Sequence, residues 1–202
     1  MSTLLKKVDH FRQEKFPELK DRYAKLKDGQ QPPTLFITCS DSRLVPSEFT
    51  QSSGGDLFVI RNAGNLVPIY DETTSSADSL TIEYAISVLG IKEIIICGHV
   101  SCGAMDGILK LDQLKDHKCI HHHLENVSKQ FDQGVFASIK THEAGKSLEM
   151  LINENVKQQM KNLLSYDFIK KKYDNNEVEI LGWVYDFVNA DTVSTFNLKE
   201  VL

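Results

Sequence analysis

Two short segments of the 202-residue chain contain residue types that bind metal ions. Cys39, Asp41 and Arg43 lie in the segment CSDSR, and His99 and Cys102 lie in GHVSC. Two thiolates and one imidazole are a favoured donor set for zinc, and three protein ligands leave a fourth position for water or substrate. The His-x2-Cys spacing allows one loop to supply two of the three ligands. The two segments therefore predict a zinc site, provided that the fold brings them together.

Asp41 and Arg43 allow several arrangements beside such a site. Asp41 is two residues from Cys39, near enough to become a fourth ligand and close the site. Alternatively, Arg43 holds the carboxylate of Asp41 in a bidentate pair, which leaves the fourth metal position open. A third interpretation is a simple surface ion pair, which contributes about 0–1 kcal/mol.

The fold that would position these residues can be predicted from the apolar pattern. Residues 34–39 (TLFITC) and 92–99 (KEIIICGH) are apolar runs of the kind found in parallel strands covered on both faces. The other predicted strands are 56–65 and 177–187, and the predicted helices are 75–90, 103–110, 120–131 and 143–164. Alternating strands and helices predict an α/β fold with a mostly parallel central sheet flanked by helices.

The predicted order of elements places both metal-binding segments at one edge of the sheet. Cys39 ends one strand, and His99 and Cys102 follow another, while ligands of parallel α/β sheets bind at the carboxyl ends of the strands. We expect residues 1–202 to form a single domain. Apolar residues at helical spacing between positions 3 and 28 predict that residues 1–30 are a helical arm of this domain.

Composition argues against several classes of protein. The formal net charge of −5 argues against a nucleic-acid partner. No apolar run approaches the ~20 residues that a membrane span requires, and the amphipathic N-terminus does not resemble a secretory signal. Without such a signal, the four cysteines are not expected to form a disulfide framework. We therefore expect a cytoplasmic protein with no membrane partner.

Sequence blocks along most of the chain resemble those of the β-class carbonic anhydrases, in the same order. The blocks are CSDSR (39–43), GDLFVIRNAGN (55–65), SLTIEYA (79–85), IIICGHVSCGAM (94–105) and LGWVYDF (181–187). The resemblance implies reversible hydration of carbon dioxide to bicarbonate and a proton by zinc-bound hydroxide. It implies one Zn2+ per subunit, held by Cys39, His99 and Cys102, with Asp41 and Arg43 as a catalytic dyad.

The same resemblance implies a substrate pocket and an oligomer. The implied substrate-binding residues are Gln30, Phe58, Ala63, Tyr84 and Gly103, in a pocket at a dimer interface. A valine is often found at the position of Ala63, so a slightly roomier pocket is expected. The N-terminal arm is similar to one that wraps a partner subunit in this family, which implies a homodimer, a tetramer or a larger assembly.

The resemblance also bears on regulation. A bicarbonate-regulated type in this family uses a Trp, Arg and Tyr trio in a second pocket. Arg61 and Tyr185 match two members of this trio, but Phe36 stands at the position of the tryptophan. This difference weakens a regulatory site and favours a resting state in which Asp41 is not on the metal. Arg61 and Tyr185 then have a structural role.

Three other hypotheses remain open, two from the residues and one, hydrolysis of a different substrate, from relatives of this family. Cys39 beside Arg43 could be a nucleophile for an anionic substrate, because a guanidinium lowers the pKa of a thiol. The site could also be a zinc site without catalysis, or the chain could hydrolyse another small linear molecule such as carbon disulfide. The triplet His121–His123 could relay protons, although a solvated helix face is the simpler interpretation.

Overall fold

The computed structural model describes residues 2–202, and these residues form a five-stranded sheet flanked by helices. The strands are β1 (Thr34–Cys39), β2 (Leu57–Asn62), β3 (Glu93–His99), β4 (Glu179–Asp186) and β5 (Asp191–Asn197). Their order in the sheet is β2-β1-β3-β4-β5. The pairs β1–β2, β1–β3 and β3–β4 are parallel, and β5 is antiparallel to β4. The predicted α/β fold with a mostly parallel sheet is therefore confirmed.

Helices connect the strands and cover the sheet. The helices are α1 (Thr3–Glu14), α2 (Phe16–Leu26), α3 (Pro46–Phe49), α4 (Ala77–Glu83), α5 (Gly103–Leu109), α6 (Lys118–Ser128), α7 (Gln133–Ile139), α8 (Ala144–Leu163), α9 (Asp167–Asp174) and α10 (Leu198–Val201). A π-helical turn, Tyr84–Val88, extends α4, and a 3-10 turn, Leu111–Leu114, follows α5. The helical pattern that was predicted to stop at Gly90 does so, because Gly90 adopts a φ of +67°.

The two central strands are buried on both faces, as their unbroken apolar runs predicted. Ile94 and Ile96 of β3 face the main core, whereas Ile95 and Cys97 pack with Phe36 on the opposite face. Helix α8 packs on the main-core face, where its Val156 lies against Gly98 of β3 and Gly182 of β4. A Cβ atom on Gly98 would lie 2.7 Å from Val156 Cγ2, so only glycine permits this close approach. The close packing fixes α8 against the end of β3, next to His99.

The sequence did not predict strand β5 or the short helices α3, α7, α9 and α10. The segment 177–187 was expected to be the last strand, but β5 follows β4 and pairs with it along one edge. β5 is a largely exposed edge strand with a polar sequence, DTVSTFN, and therefore lacks the apolar signal of the central strands. Helices α7 and α9 are 7 and 8 residues long, too short to give a clear helical period.

The N-terminal arm consists of α1 and α2, and neither helix contains a buried residue. The arm was predicted over residues 1–30, of which Met1 lies outside the described residues. Arg22 of α2 pairs with Asp56 and donates a hydrogen bond to the Gly54 carbonyl, so α2 rests on the loop before β2. No helix in residues 2–202 combines the length and apolar character needed to cross a membrane.

Candidate metal centre

The carboxyl ends of β1 and β3 bring Cys39, His99 and Cys102 together. Their ligand atoms, two sulfurs and one ring nitrogen, all lie within 4.8 Å of one another, and all three residues are buried. Cys39 and His99 are the last residues of their strands. Ser101 adopts a φ of +56°, and the tight loop delivers Cys102 to the start of α5. The fold thus assembles the three residues that the two sequence segments contain.

His99 is oriented so that one ring nitrogen faces the two sulfurs. Its Nδ1 lies 2.8 Å from the carbonyl oxygen of Val100, which makes Nδ1 an N–H donor. Its Nε2 is buried and has no hydrogen-bond partner among the described residues. A buried polar atom without a partner is unfavourable, and a metal ion would satisfy it. The donor set and the free Nε2 therefore fit zinc.

The surroundings shift the pKa values of the two thiols at the site in opposite directions. The hydrogen bond with Cys102 lowers the pKa of Cys39 to about 4, and the backbone N–H of Gly64 also donates to Cys39 Sγ at 3.4 Å. The hydrogen bond with Cys39, together with burial, raises the pKa of Cys102. Because thiolates are the ligand form, binding of a divalent ion is coupled to release of thiol protons.

Asp41 and Arg43 form the bidentate pair that the sequence allowed. Arg43 Nε lies 2.9 Å from Asp41 Oδ1, and Arg43 Nη2 lies 2.7 Å from Oδ2. The hydrogen bonds from Arg43 lower the pKa of Asp41, although burial opposes this shift. Asp41 Oδ2 is also 4.0 Å from His99 Nε2. An anionic carboxylate is thus fixed at the border of the cluster.

Two residues hold this dyad in place. Arg61 donates from Nε to the Cys39 carbonyl at 3.1 Å and from Nη2 to the Asp41 carbonyl at 2.7 Å. The ring centroid of Phe187 lies 4.3 Å from the guanidinium carbon of Arg43, a cation–π contact. The sequence did not predict a role for Phe187, because no local pattern indicates that it packs against Arg43, 144 positions earlier in the chain.

Phe36 and Tyr185, discussed with Arg61 as members of a regulatory trio, have aromatic partners. Phe36 makes an edge-to-face contact with Trp183 at a centroid distance of 5.8 Å. Tyr185 stacks on Phe49 at 4.1 Å. Phe36 and Tyr185 thus pack against aromatic side chains, while Arg61 binds two backbone carbonyls.

The five residues expected in the substrate pocket lie in different places. Gly103 begins α5 directly after Cys102, and Ala63 precedes Gly64, which contacts Cys39. Phe58 of β2 and Tyr84 after α4 pack on each other with centroids 6.2 Å apart. Tyr84 remains 42% exposed. The last of the five, Gln30, is exposed in the loop between α2 and β1.

The other polar candidates from the sequence are not among the mutually close ligand atoms found in residues 2–202. His121, His122 and His123 lie on α6, and the last two are exposed. His122 Nε2 is 3.1 Å from the side-chain amide of Asn126. Cys119, on the same helix, is an exposed free thiol. These positions agree with a solvated helix face.

A parallel α/β sheet with a buried Cys-His-Cys cluster at the carboxyl ends of its strands is the arrangement of a metalloenzyme. A family model described as carbonic anhydrase matches residues 34–192. The chain therefore belongs to the carbonic anhydrase family, as its sequence blocks predicted.

Similar proteins support this assignment. The chain is 36% identical over 193 residues to a carbonic anhydrase of Synechococcus elongatus, covering 96% of this chain and 71% of the relative. It is 39% identical over 198 residues to a carbonic anhydrase of Helicobacter pylori J99, covering 94% of this chain and 87% of the relative.

Solved structures identify the class. The β-carbonic anhydrase CcaA superposes with a TM-score of 0.87 at 36% identity, covering 93% of this chain and 84% of that chain. A Coccomyxa β-carbonic anhydrase in complex with acetazolamide superposes with a TM-score of 0.82 at 24% identity, covering 98% and 89%, and supports the fold alone. The chain is thus an enzyme of the β class, a lyase that interconverts carbon dioxide and bicarbonate.

Proposed function

We propose that this chain hydrates carbon dioxide reversibly with one zinc ion per subunit, held by Cys39, His99 and Cys102. The observation that supports the proposal most strongly is the buried cluster, whose three ligand atoms lie within 4.8 Å of one another. When bound there, zinc would supply a Lewis acid that activates water for attack on the carbon of carbon dioxide.

The chain's own residues prepare this site for a cation. The Val100 carbonyl accepts the Nδ1 proton of His99, which leaves the lone pair of Nε2 free to face the sulfurs. The N–H of Gly64 stabilises negative charge on Cys39. A ligand held by such a hydrogen bond keeps its tautomer or charge state without reorganisation.

We propose that Asp41 acts as a hydrogen-bond acceptor for the reacting water. Both carboxylate oxygens already accept from Arg43, and Oδ2 faces the cluster at 4.0 Å from His99 Nε2. A remaining lone pair on Oδ2 can accept a hydrogen bond from a reacting O–H group and so orient its oxygen toward the substrate. Arg43 keeps the carboxylate anionic for this role.

The same contacts favour an open resting site, in which Asp41 pairs with Arg43 and is not a fourth ligand. The bidentate pair occupies both oxygens of Asp41. The group of residues whose ligand atoms are mutually close consists of Cys39, His99 and Cys102 and does not include Asp41. The closed state would require the carboxylate to leave Arg43.

We propose a homodimer as the basic unit, with a tetramer or larger assembly built from it. Leu80, Tyr84 and Val88 recur every fourth residue and form an apolar stripe, in which Leu80 is 68% and Val88 66% exposed. Helix α1 exposes a second stripe that includes Leu4 and Val8. Two such stripes on one chain are more than a monomer usually exposes, and a second copy of the chain would bury both.

The dimer would complete the substrate pocket. Phe58 is half-buried and Tyr84 is exposed, and the two form an aromatic pair on the face that carries the apolar stripe. We propose that this pair lines the apolar part of the pocket next to a partner subunit. Gln30, Ala63 and Gly103 are proposed to complete the pocket.

A charge placed on either apolar stripe is expected to dissociate the dimer. We expect sedimentation velocity to show a dimer or an assembly of dimers for the unchanged chain, and a monomer for Val8→Glu and for Val88→Glu, because each variant would bury a carboxylate without a partner. Lys6→Glu is the matched control, since it puts the same side chain on the other face of α1. A monomeric unchanged chain, or dimers of both valine variants, would contradict the proposed interface.

We also propose a cytoplasmic location and no nucleic-acid partner. Cys39, Cys97, Cys102 and Cys119 are all free in the structure. Free thiols, one of them exposed, suit a reducing compartment. The net charge of −5 disfavours binding to a polyanion.

Stopped-flow measurement of carbon dioxide hydration tests the proposed function. We expect turnover that requires zinc and rises between about pH 7 and 9. Two thiolates would give the metal more electron density than imidazoles do, so the pKa of the activated water should lie above the value of about 7 known for three-histidine sites. Removal of zinc with a chelator should abolish turnover, and added zinc should restore it. A zinc-loaded chain without turnover across this range would defeat the enzymatic proposal and leave a binding role.

A further inference from the structure

Helix α8 carries three buried amide side chains that the metal site does not explain. Asn155 and Gln159 are each 1% exposed and Asn162 is 4% exposed. Their spacing of four and three residues places them on one face of α8. Burying a polar amide is unfavourable unless it is hydrogen-bonded, so the bonds made by these side chains indicate what they stabilise.

All three amides bind the loop that follows β2. Asn155 Nδ2 donates to the Gly64 carbonyl at 3.0 Å. The Val67 N–H donates to Gln159 Oε1 at 2.8 Å, and Asn162 Nδ2 donates to the Val67 carbonyl at 2.9 Å. Gln159 Nε2 also donates to Asn155 Oδ1 at 3.0 Å, which fixes the orientation of the Asn155 amide.

Gly64 connects this array to the metal cluster. Its carbonyl is held by Asn155, and its own N–H donates to Cys39 Sγ at 3.4 Å. Gly64 has a φ of +93°, and a Cβ atom there would lie 3.1 Å from the Cβ of Ala104, in the first turn of α5. The glycine is therefore held between Asn155, Cys39 and α5.

We propose that Asn155 is a positioning residue for the metal centre, which it reaches by aiming the N–H of Gly64 at the sulfur of Cys39. An N–H···S bond withdraws electron density from a thiolate ligand and orients its lone pairs, and so tunes the metal that the sulfur binds. The inference rests on the proposed zinc site. Asn155 is not a proposed zinc ligand, and the proposal gives this residue of α8 an indirect influence on the metal affinity of the site.

A matched pair of variants tests the role of Asn155. Asn155→Leu removes the bond to Gly64, whereas Asn162→Leu removes an equally buried amide bond to the same loop, at Val67. The zinc dissociation constant is expected to rise about 10-fold or more in Asn155→Leu, the lower end for residues that hold a metal ligand in place. It should stay near the unchanged value in Asn162→Leu.

The sulfur-to-cobalt absorption band of the cobalt-substituted chain gives a second readout. This band should shift in Asn155→Leu and not in Asn162→Leu, whatever the loss of stability in each variant. Equal effects in both variants, or no change in Asn155→Leu, would overturn the proposal. If the leucine variant does not accumulate, Asn155→Ser repeats the comparison with a smaller side chain.

The unchanged protein offers a test that needs no variant. In the cadmium-113 form, magnetisation should transfer from the metal to the Gly64 amide proton through the N–H···S bond, and absence of this coupling would overturn the proposal. A chain that binds no zinc, cobalt or cadmium would instead defeat the proposed function, and this inference with it. A chain that binds metal but is indifferent to Asn155 defeats the inference alone.

Discussion

Replacing Cys39 with serine is expected to give a folded chain with little or no bound zinc and no measurable carbon dioxide hydration. A serine hydroxyl keeps its proton at neutral pH and is a poor substitute for a thiolate ligand. The loss of zinc affinity should be larger than the roughly 10–100-fold loss caused by replacing a residue that only contacts a metal ligand. Zinc per chain after gel filtration and stopped-flow turnover measure the two losses.

Cys97→Ala is the matched control for this variant. Cys97 is also buried, but it packs with Phe36 on the opposite face of the sheet. Burial raises the pKa of Cys97 to about 12, so this residue does not offer the thiolate that binds zinc. We expect Cys97→Ala to retain zinc and turnover. If Cys39→Ser kept its zinc and lost only turnover, Cys39 would be a nucleophile and the metal-ligand role would be wrong.

Replacing Asp41 with asparagine is expected to lower kcat by about 100-fold or more, the usual contribution of a positioned acid–base group. Zinc content should not change, because Asp41 pairs with Arg43 and lies outside the ligand cluster. The asparagine amide cannot accept hydrogen bonds at both atoms, so it loses the bidentate geometry as well as the charge. Stopped-flow kinetics on zinc-loaded protein would measure the effect.

Asp56→Asn is the matched control, since Asp56 also pairs with an arginine, Arg22, but lies in the loop before β2. This variant should keep both its zinc and its kcat. Full activity in Asp41→Asn would refute the acceptor role of Asp41. Loss of zinc in Asp41→Asn would instead show that Asp41 is a ligand and that the resting site is closed.

The central strands and the cluster could be predicted from sequence because they share one physical cause. The segment 34–39 was predicted with its observed bounds, and 92–99 differs from β3 by one residue. Both are apolar runs that need a cover on each face, which implies parallel strands with aligned carboxyl ends. Once these strands are neighbours, Cys39 and His99 must lie at the same edge.

The contacts that hold the site in place could not be predicted in the same way. Asn155 and Gly64 are 91 positions apart in the sequence, and no local pattern indicates that they meet. Phe187 lies just after β4, and its packing against Arg43 depends on how two loops approach each other. Strand β5 was missed because an edge strand needs a partner on one side only and so tolerates a polar sequence.

Zinc K-edge X-ray absorption of the purified, active protein tests the central claim most directly. We expect one zinc per chain with two sulfur neighbours at about 2.3 Å and the remaining neighbours, nitrogen or oxygen, at about 2.0–2.1 Å. The two sulfurs would belong to Cys39 and Cys102, and one nitrogen to His99 Nε2. A fully active sample without zinc, or a zinc shell without sulfur, would contradict it.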